Sequence, residues 1–346
     1  MKKSFLFISI ILFVFLAFSC NRCNEKSKVP EIVKDVKLEE KDSVKIKIHR
    51  YEKALFNINK KSIRSELKKL LPEYSFFIPE KELNDSLSLL QMKNFLTDPL
   101  IVSLYDDCIK IYPDLTDIET NLGKAFSLYK FYFPKKKIPE VYSCVSGLDY
   151  ELPIKFSDSV MVISLDMYLG KDNINYKNAL SSYVPSYIIK RFKKDFIIPG
   201  CMREIAYTLV DNSKENKNFL DYITYEGKIL YFLDATLPDT PDSLKMYYTP
   251  AQLKWCEDNE ANMWSFIIDR KLLYSTDVTM ISKLCSDGPF TSVFSKQSPS
   301  RTGIWIGWQI IRKYMEENEN VSLTELFMNQ DSQDILTKSK YKPRKE

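Results

Sequence analysis

Histidine is nearly absent: His49 is the only one in 346 residues. A zinc site built on two histidines is therefore excluded by count, and a histidine-based triad would have to use His49. Glycine is scarce too, at eight residues, and there is no glycine-rich phosphate loop. Neither sign of charge dominates. Fifty Lys and Arg against forty-six Asp and Glu leave a formal +4, too weak and scattered to argue for a nucleic-acid partner. No apolar run reaches the roughly twenty residues of a comfortable membrane span, and no internal repeat is visible. What is present is core material: 45% of the residues are apolar and 13% aromatic, enough for one large domain or two modest ones.

The first forty residues carry the clearest signal. "MKKSFLFISIILFVFLAFSC" has two lysines, an apolar run from Phe5 to Phe18, then Ser19 and Cys20, the layout of a secretory leader. Ala17 and Ser19 are the small residues a lipoprotein signal peptidase reads ahead of an acylated cysteine. Residues 1–19 are therefore expected to be a lipoprotein signal peptide and Cys20 the lipidated residue, holding the protein at a membrane surface. Residues 20–42 are rich in Lys and Glu and poor in large apolar groups, which suits an acylated tether. The globular domain is expected over 43–346. An exported protein can form disulfides, but Cys108, Cys144, Cys201, Cys256 and Cys285 are odd in number with no paired spacing, so free buried thiols are expected. The runs Lys135–Lys137 and Lys190–Lys194 read as solvated surface.

In the folded part, "SVKIKIHRY" alternates as a half-exposed strand, and helices follow to about residue 132, with breaks near Pro72, Pro79, Pro99 and Pro113. "EVYSCVSG" and "SVMVISLDMYLG" read as strands, and helical periodicity dominates from residue 178. The class is α+β, with a small sheet early in the domain and a mostly helical C-terminal half. "TPAQ" at 249–252 and "SLTE" at 322–325 are capping boxes that open helices. In "GIWIGWQIIRKYM", Ile304, Trp308, Ile311 and Met315 form one stripe. Gly303 and Gly307, one turn apart, leave room for another backbone.

The segment "GCMREIAYTLV" (200–210) has an apolar stripe of Met202, Ile205, Ala206 and Leu209, with Arg203 and Tyr207 on a neighbouring face. Glu204 follows Arg203, so the frame is that of H-E-x-x-H with neither histidine. Downstream, Phe219, Tyr222, Ile223, Leu230 and Leu233 share a stripe with Glu226, a costly place for a carboxylate unless it is paired.

Five ordered blocks, "VISLDMYLG" (162–170), "YEGKILYFLDATLPDT" (225–240), "YTPAQLKWCEDNEANMW" (248–264), "SPSRTGIWIGWQIIRKYM" (298–315) and "SKYKP" (339–343), resemble the gliding-motility lipoprotein GldB family of the Bacteroidetes. That family in turn looks like a degenerate relative of gluzincin-type zinc metalloproteases. The resemblance implies a zincin-like domain in which Arg203 and Tyr207 stand at the two histidine positions, Glu204 at the general base and Glu226 at the third ligand. These are then vestigial metal-site positions, with no catalytic residue, metal or cofactor. Arg203 is expected to bridge the two helices by pairing with Glu226, and with Glu204. The implied role is a non-catalytic, membrane-anchored accessory of cell-envelope machinery facing the periplasm, with envelope proteins and the membrane as partners. Two other roles stay open: a peptidase using Cys201, Glu204 and Glu226 as metal ligands, and a peptide- or small-ligand-binding lipoprotein using the same cleft.

Overall fold

The computed structural model describes residues 43–157, 159–211 and 218–343. The expected signal peptide (1–19), Cys20 and the tether (20–42) lie outside the described residues.

The first strand, β1 (Ile48–Arg50), leads into helices α1 (Tyr51–Phe56), α2 (Ile63–Tyr74), α3 (Ser86–Thr97), α4 (Pro99–Ile111) and α5 (Thr116–Tyr132). Strands β2 (Glu140–Cys144), β3 (Ile154–Ser157) and β4 (Val160–Ser164) follow. The rest is helical: α6 (Ile174–Ala179), α7 (Ser186–Ile189), α8 (Ile197–Leu209), α9 (Phe219–Thr236), α10 (Asp242–Met246), α11 (Pro250–Asp269) and α12 (Val278–Cys285). Three more close the chain: α13 (Thr302–Glu317), α14 (Leu323–Met328) and α15 (Ser332–Ser339). The α+β class with a small sheet and a helical second half is thus as expected.

The four strands lie in the order β1-β2-β4-β3, parallel for β1–β2 and β2–β4 and antiparallel for β3–β4. Both faces of the central strands are covered, which is why "EVYSC" and "VMVIS" read as unbroken apolar runs. Val141, Met161 and Ile163 face the main core with the C-terminal helices. Tyr142, Cys144 and Val162 face a second cluster built from α1, α2 and Leu96 of α3.

Local expectations fared unevenly. Both capping boxes form, at Thr249–Gln252 and Ser322–Glu325, and the five cysteines are free and buried. The first strand is shorter than its alternation suggests. Residues 43–47 lie along α5, where the Val44 amide donates to Ser127 Oγ at 2.8 Å, so only Ile48–Arg50 pairs with β2. Pro72 does not break α2 but sits near its end, and Pro199 and Gly200 lie inside the first turn of α8. The strand β3, "IKFS", has too little alternation to be seen without its partner β4.

Helices α9 and α13 cross in near contact. A Cβ on Gly307 would lie 1.9 Å from the Ile223 carbonyl oxygen, and one on Gly227 2.5 Å from the Gly307 oxygen. The room expected at Gly307 is therefore filled by a backbone, and only glycine fits. At Gly303 the neighbours are side chains, Cys285 and Phe219.

Candidate functional site

Helix α8 carries Arg203, Glu204 and Tyr207, and α9 carries Glu226. Both helices form because their apolar stripes pack: Met202, Ile205 and Ala206 on α8 and Phe219, Ile223, Leu230 and Leu233 on α9 are all buried. Glu226 falls on the same buried side of α9 and is 8% exposed, as its stripe position requires.

Arg203 is 5% exposed. Its Nη2 donates to the Lys245 carbonyl oxygen, and its guanidinium carbon lies 4.8 Å from the Tyr247 ring centroid. Its Nε and Nη1 are buried without a well-formed hydrogen bond, with the Tyr247 and Tyr207 side chains as their nearest polar company. The expected bidentate bridge from Arg203 to Glu226 or Glu204 is therefore not made. Instead the turn after α10, where Tyr247 takes a left-handed conformation at φ 58°, sets the Lys245 carbonyl and the Tyr247 ring against Arg203. Burial pulls the guanidinium's pKa down, but Tyr247, Tyr207 and Glu226 outweigh it, so Arg203 stays charged.

The two acids respond to this cation from a distance, the tyrosines at closer range. Burial raises the Glu204 carboxyl above its ordinary value, with Arg203 pulling the other way. Tyr207 is 38% exposed as a whole, yet burial still raises its hydroxyl, again opposed by Arg203. Its ring stacks near Tyr225 at 6.5 Å. Burial, reinforced by the Glu226 charge, pushes the Tyr222 and Tyr225 hydroxyls up to about 12. Of the four positions singled out in the sequence, Arg203 and Tyr207 interact through their side-chain polar groups, and Glu204 and Glu226 meet the cation only through its field. Among the described residues, no three His, Cys, Asp or Glu side chains are placed to hold a metal. Cys201, Glu204 and Glu226 are thus not brought together as a ligand set, and an arginine and a tyrosine, at the positions the resemblance assigned to zinc ligands, do not fit the ion.

Tyr247 has a second guanidinium 5.4 Å from its centroid, that of Arg191. Arg191 in turn is held by both oxygens of Asp287. Arg301, in a left-handed conformation at φ 60°, donates to the Met246 carbonyl at 3.4 Å. Three arginines thus converge on the turn that follows α10. A groove of about 610 Å³ opens elsewhere, between α5, the start of α8 and the 236–244 loop, with Asn121, Lys194, Pro199 and Pro241 in its lining. None of Arg203, Glu204, Tyr207 and Glu226 lines it.

The same turn is fixed from behind by a buried charge network that was not anticipated from the sequence. Arg312 Nε and Nη2 donate to the two oxygens of Asp234, each at 2.7 Å, and Nη1 donates to Asp242 Oδ2 at 2.7 Å. Lys245 Nζ reaches Asp234 Oδ1 at 2.9 Å and Asp242 Oδ1 at 3.4 Å. Trp308 Nε1 donates to Asp234 Oδ2 at 2.9 Å, and its ring lies 3.7 Å from the guanidinium carbon. Two acids and two bases cancel inside the core. Burial pushes the Asp242 carboxyl up, but Arg312 and then Lys245 outweigh it and hold it below the ordinary carboxylate range. The available signal was an ionisable residue inside each apolar helix run: Asp234 in "ILYFLDA" and Arg312 in "GWQIIRK". Lys245 ties the network to the site, because its side chain belongs to the first and its carbonyl accepts from Arg203.

No helix among the described residues is long and apolar enough to cross a membrane. Searches of curated proteins and of solved structures return no match. The family model described as gliding motility protein GldB matches residues 31–343, nearly the whole chain, and the protein therefore belongs to the GldB family.

Proposed function

We propose that this chain is a lipid-anchored, non-catalytic accessory component of envelope machinery serving gliding motility or the associated secretion, with a domain of metalloprotease-like plan. Family membership supports the gliding association, and the leader-like segment 1–19 ahead of Cys20 supports the anchor and a periplasmic face. The metalloprotease-like plan is supported by the pairing of α8 with α9, which brings Glu204 and Glu226 into the field of one cation. It is supported too by β3, an antiparallel edge strand packed on α8: a Cβ on Gly200 would lie 2.7 Å from Ile154 Cδ1.

One observation carries the non-catalytic role. Arg203, at a histidine position of the protease frame, is locked inward on the Lys245 carbonyl and the Tyr247 ring. A fixed cation there repels a metal ion and leaves Glu204 with no bound water to deprotonate. The side chain is used to hold α8 to the α10 turn. In-cell crosslinking of the native protein, followed by identification of the bound chains, tests the accessory role. Envelope machinery components recovered with the wild type are expected, and with the Glu204→Gln variant in equal yield. Recovery of cleaved polypeptide products that disappear in Glu204→Gln would overturn it.

A further inference from the structure

The direction of residues 44–48 shows at which end of the domain the described chain begins. Residues 44–48 run antiparallel to α5. The Val44 amide meets Ser127 Oγ at 2.8 Å, the Val44 carbonyl oxygen lies 2.6 Å from where a Gly123 Cβ would stand, and the Ile48 amide meets Glu119 Oε1 at 2.8 Å. Ser43, where the described chain begins, therefore lies toward the C-terminal end of α5. Gly123, Ser127 and Phe131 recur every four residues, so they share one face of that helix. Phe131, one turn beyond Ser127, is 55% exposed. The following loop exposes Lys135, Lys136 and Lys137. Lys130 Nζ donates to the Lys136 carbonyl at 2.7 Å, which pins the loop against the helix end. The nearest acid in sequence, Glu140, is already engaged by the Tyr142 hydroxyl at 2.8 Å.

We propose that this end of the domain, Phe131 with Lys130 and Lys135–Lys137, rests on the anionic headgroups of the membrane that holds the protein. An exposed ring beside clustered lysines matches an interface whose phosphates are negative and whose acyl boundary accepts an aromatic side chain. The inference rests on Cys20 being lipidated, because the anchor supplies the high local concentration that makes a weak patch sufficient. Residues 20–42 span at most roughly 80 Å when fully extended. The anchor alone therefore leaves the domain free to turn any face to the bilayer, and the patch selects one.

The test uses the full mature chain reconstituted in vesicles of phosphatidylcholine alone or of phosphatidylcholine with phosphatidylglycerol. Lysines are labelled with an amine reagent and read by mass spectrometry. With the anionic vesicles, labelling of Lys135–Lys137 should fall at least threefold and return at high salt, while Lys254, exposed on α11, stays unchanged as an internal reference. The variant Phe131→Ser with Lys136→Glu should lose most of the labelling difference at its remaining lysines. Equal labelling in the two vesicle types overturns the proposal. So does protection already present without vesicles, which would assign the patch to the chain's own N-terminal segment. Protection that appears only with added envelope protein overturns it as well and assigns the patch to a protein partner. The mass of the Cys20 peptide, taken from the same digest, reports the anchor separately, so a chain without acyl groups is distinguished from a patch that does not dock.

Discussion

Arg312 and Arg203 are both buried arginines near the same turn, and their surroundings differ. Every nitrogen of Arg312 meets a carboxylate oxygen, and its guanidinium lies over Trp308. Arg203 bonds one neutral carbonyl, has two buried nitrogens without a well-formed hydrogen bond, and otherwise meets tyrosines, Tyr247 and Tyr207, rather than carboxylates. The first arrangement is that of a part the fold depends on: once two acids are buried, their cations are indispensable. The second is that of a cation held by one bond and by ring contacts, with part of its donor capacity unused. An unmet buried donor costs about 1–3 kcal/mol, a cost the fold could shed by substitution.

The widest separation between the two should come from removing each charge. Arg312→Met leaves Asp234 and Asp242 with Lys245 alone and is expected to cost about 3–5 kcal/mol. Arg312→Lys should not rescue it, because an ammonium cannot bond both carboxylates as the planar fork does. Denaturant unfolding measures this, and a loss under 1 kcal/mol would break the comparison. The network also sets an acid limit. The folded Asp242 carboxyl titrates below its unfolded value, so its contribution is present above the ordinary carboxylate range and is lost as pH falls below it. The Arg312 variant should lack this acid dependence.

Arg203 should respond to volume more than to charge. Arg203→Ala is expected to cost about 2–3 kcal/mol through the cavity it leaves. Arg203→Met keeps most of the volume and should shift stability by less than about 1 kcal/mol, because the unmet donors disappear with the lost bond. Equal and large losses for both would mean that Arg203 is as well paired as Arg312.

Lys228 provides an intermediate case. It is buried and donates to the Asn329 carbonyl, and burial pulls its amine down to about 8, with Asp211 opposing. A folded pKa below the unfolded one gives stability that is present above the unfolded value and lost as pH falls through about 8. Between pH 8 and pH 10 the wild type should therefore gain about 2 kcal/mol relative to Lys228→Met. A parallel pH course in the two chains would show that Lys228 is better paired than its contacts imply.

The smallest effect is expected at Glu204. Its raised pKa means that folding is favoured by protonation, fully below the ordinary carboxylate range and progressively less as pH rises through the folded value. Glu204→Gln should therefore be neutral to slightly stabilising at pH 7, by less than about 1 kcal/mol, and should remove that slope from a melting series. A destabilised variant would point to a carboxylate contact that matters to the fold.

The sequence carried the parts whose cause is local. Capping boxes at Thr249 and Ser322, the apolar runs of β2 and β4 and the stripe that buries Glu226 depend on neighbours a few residues away. The pairing of Arg203 was misread because its partner is a backbone carbonyl forty-two residues on, presented by a left-handed Tyr247 that no pattern announces. The Asp234–Asp242–Lys245–Arg312 network was missed for a similar reason. Asp234 and Arg312 each look like an isolated charge in an apolar run, Asp242 and Lys245 look like ordinary loop charges, and only the crossing of α9 and α13 at Gly227 and Gly307 brings Asp234 and Arg312 together.

The zinc content of the purified mature chain, measured beside an Arg203→His/Tyr207→His double variant, tests the central claim most directly. The account predicts no bound zinc in the wild type, where the Arg203 cation fills the position, and about one equivalent in the double variant, lost again on Glu226→Gln. One equivalent in the wild type, or none in a folded double variant, would contradict it.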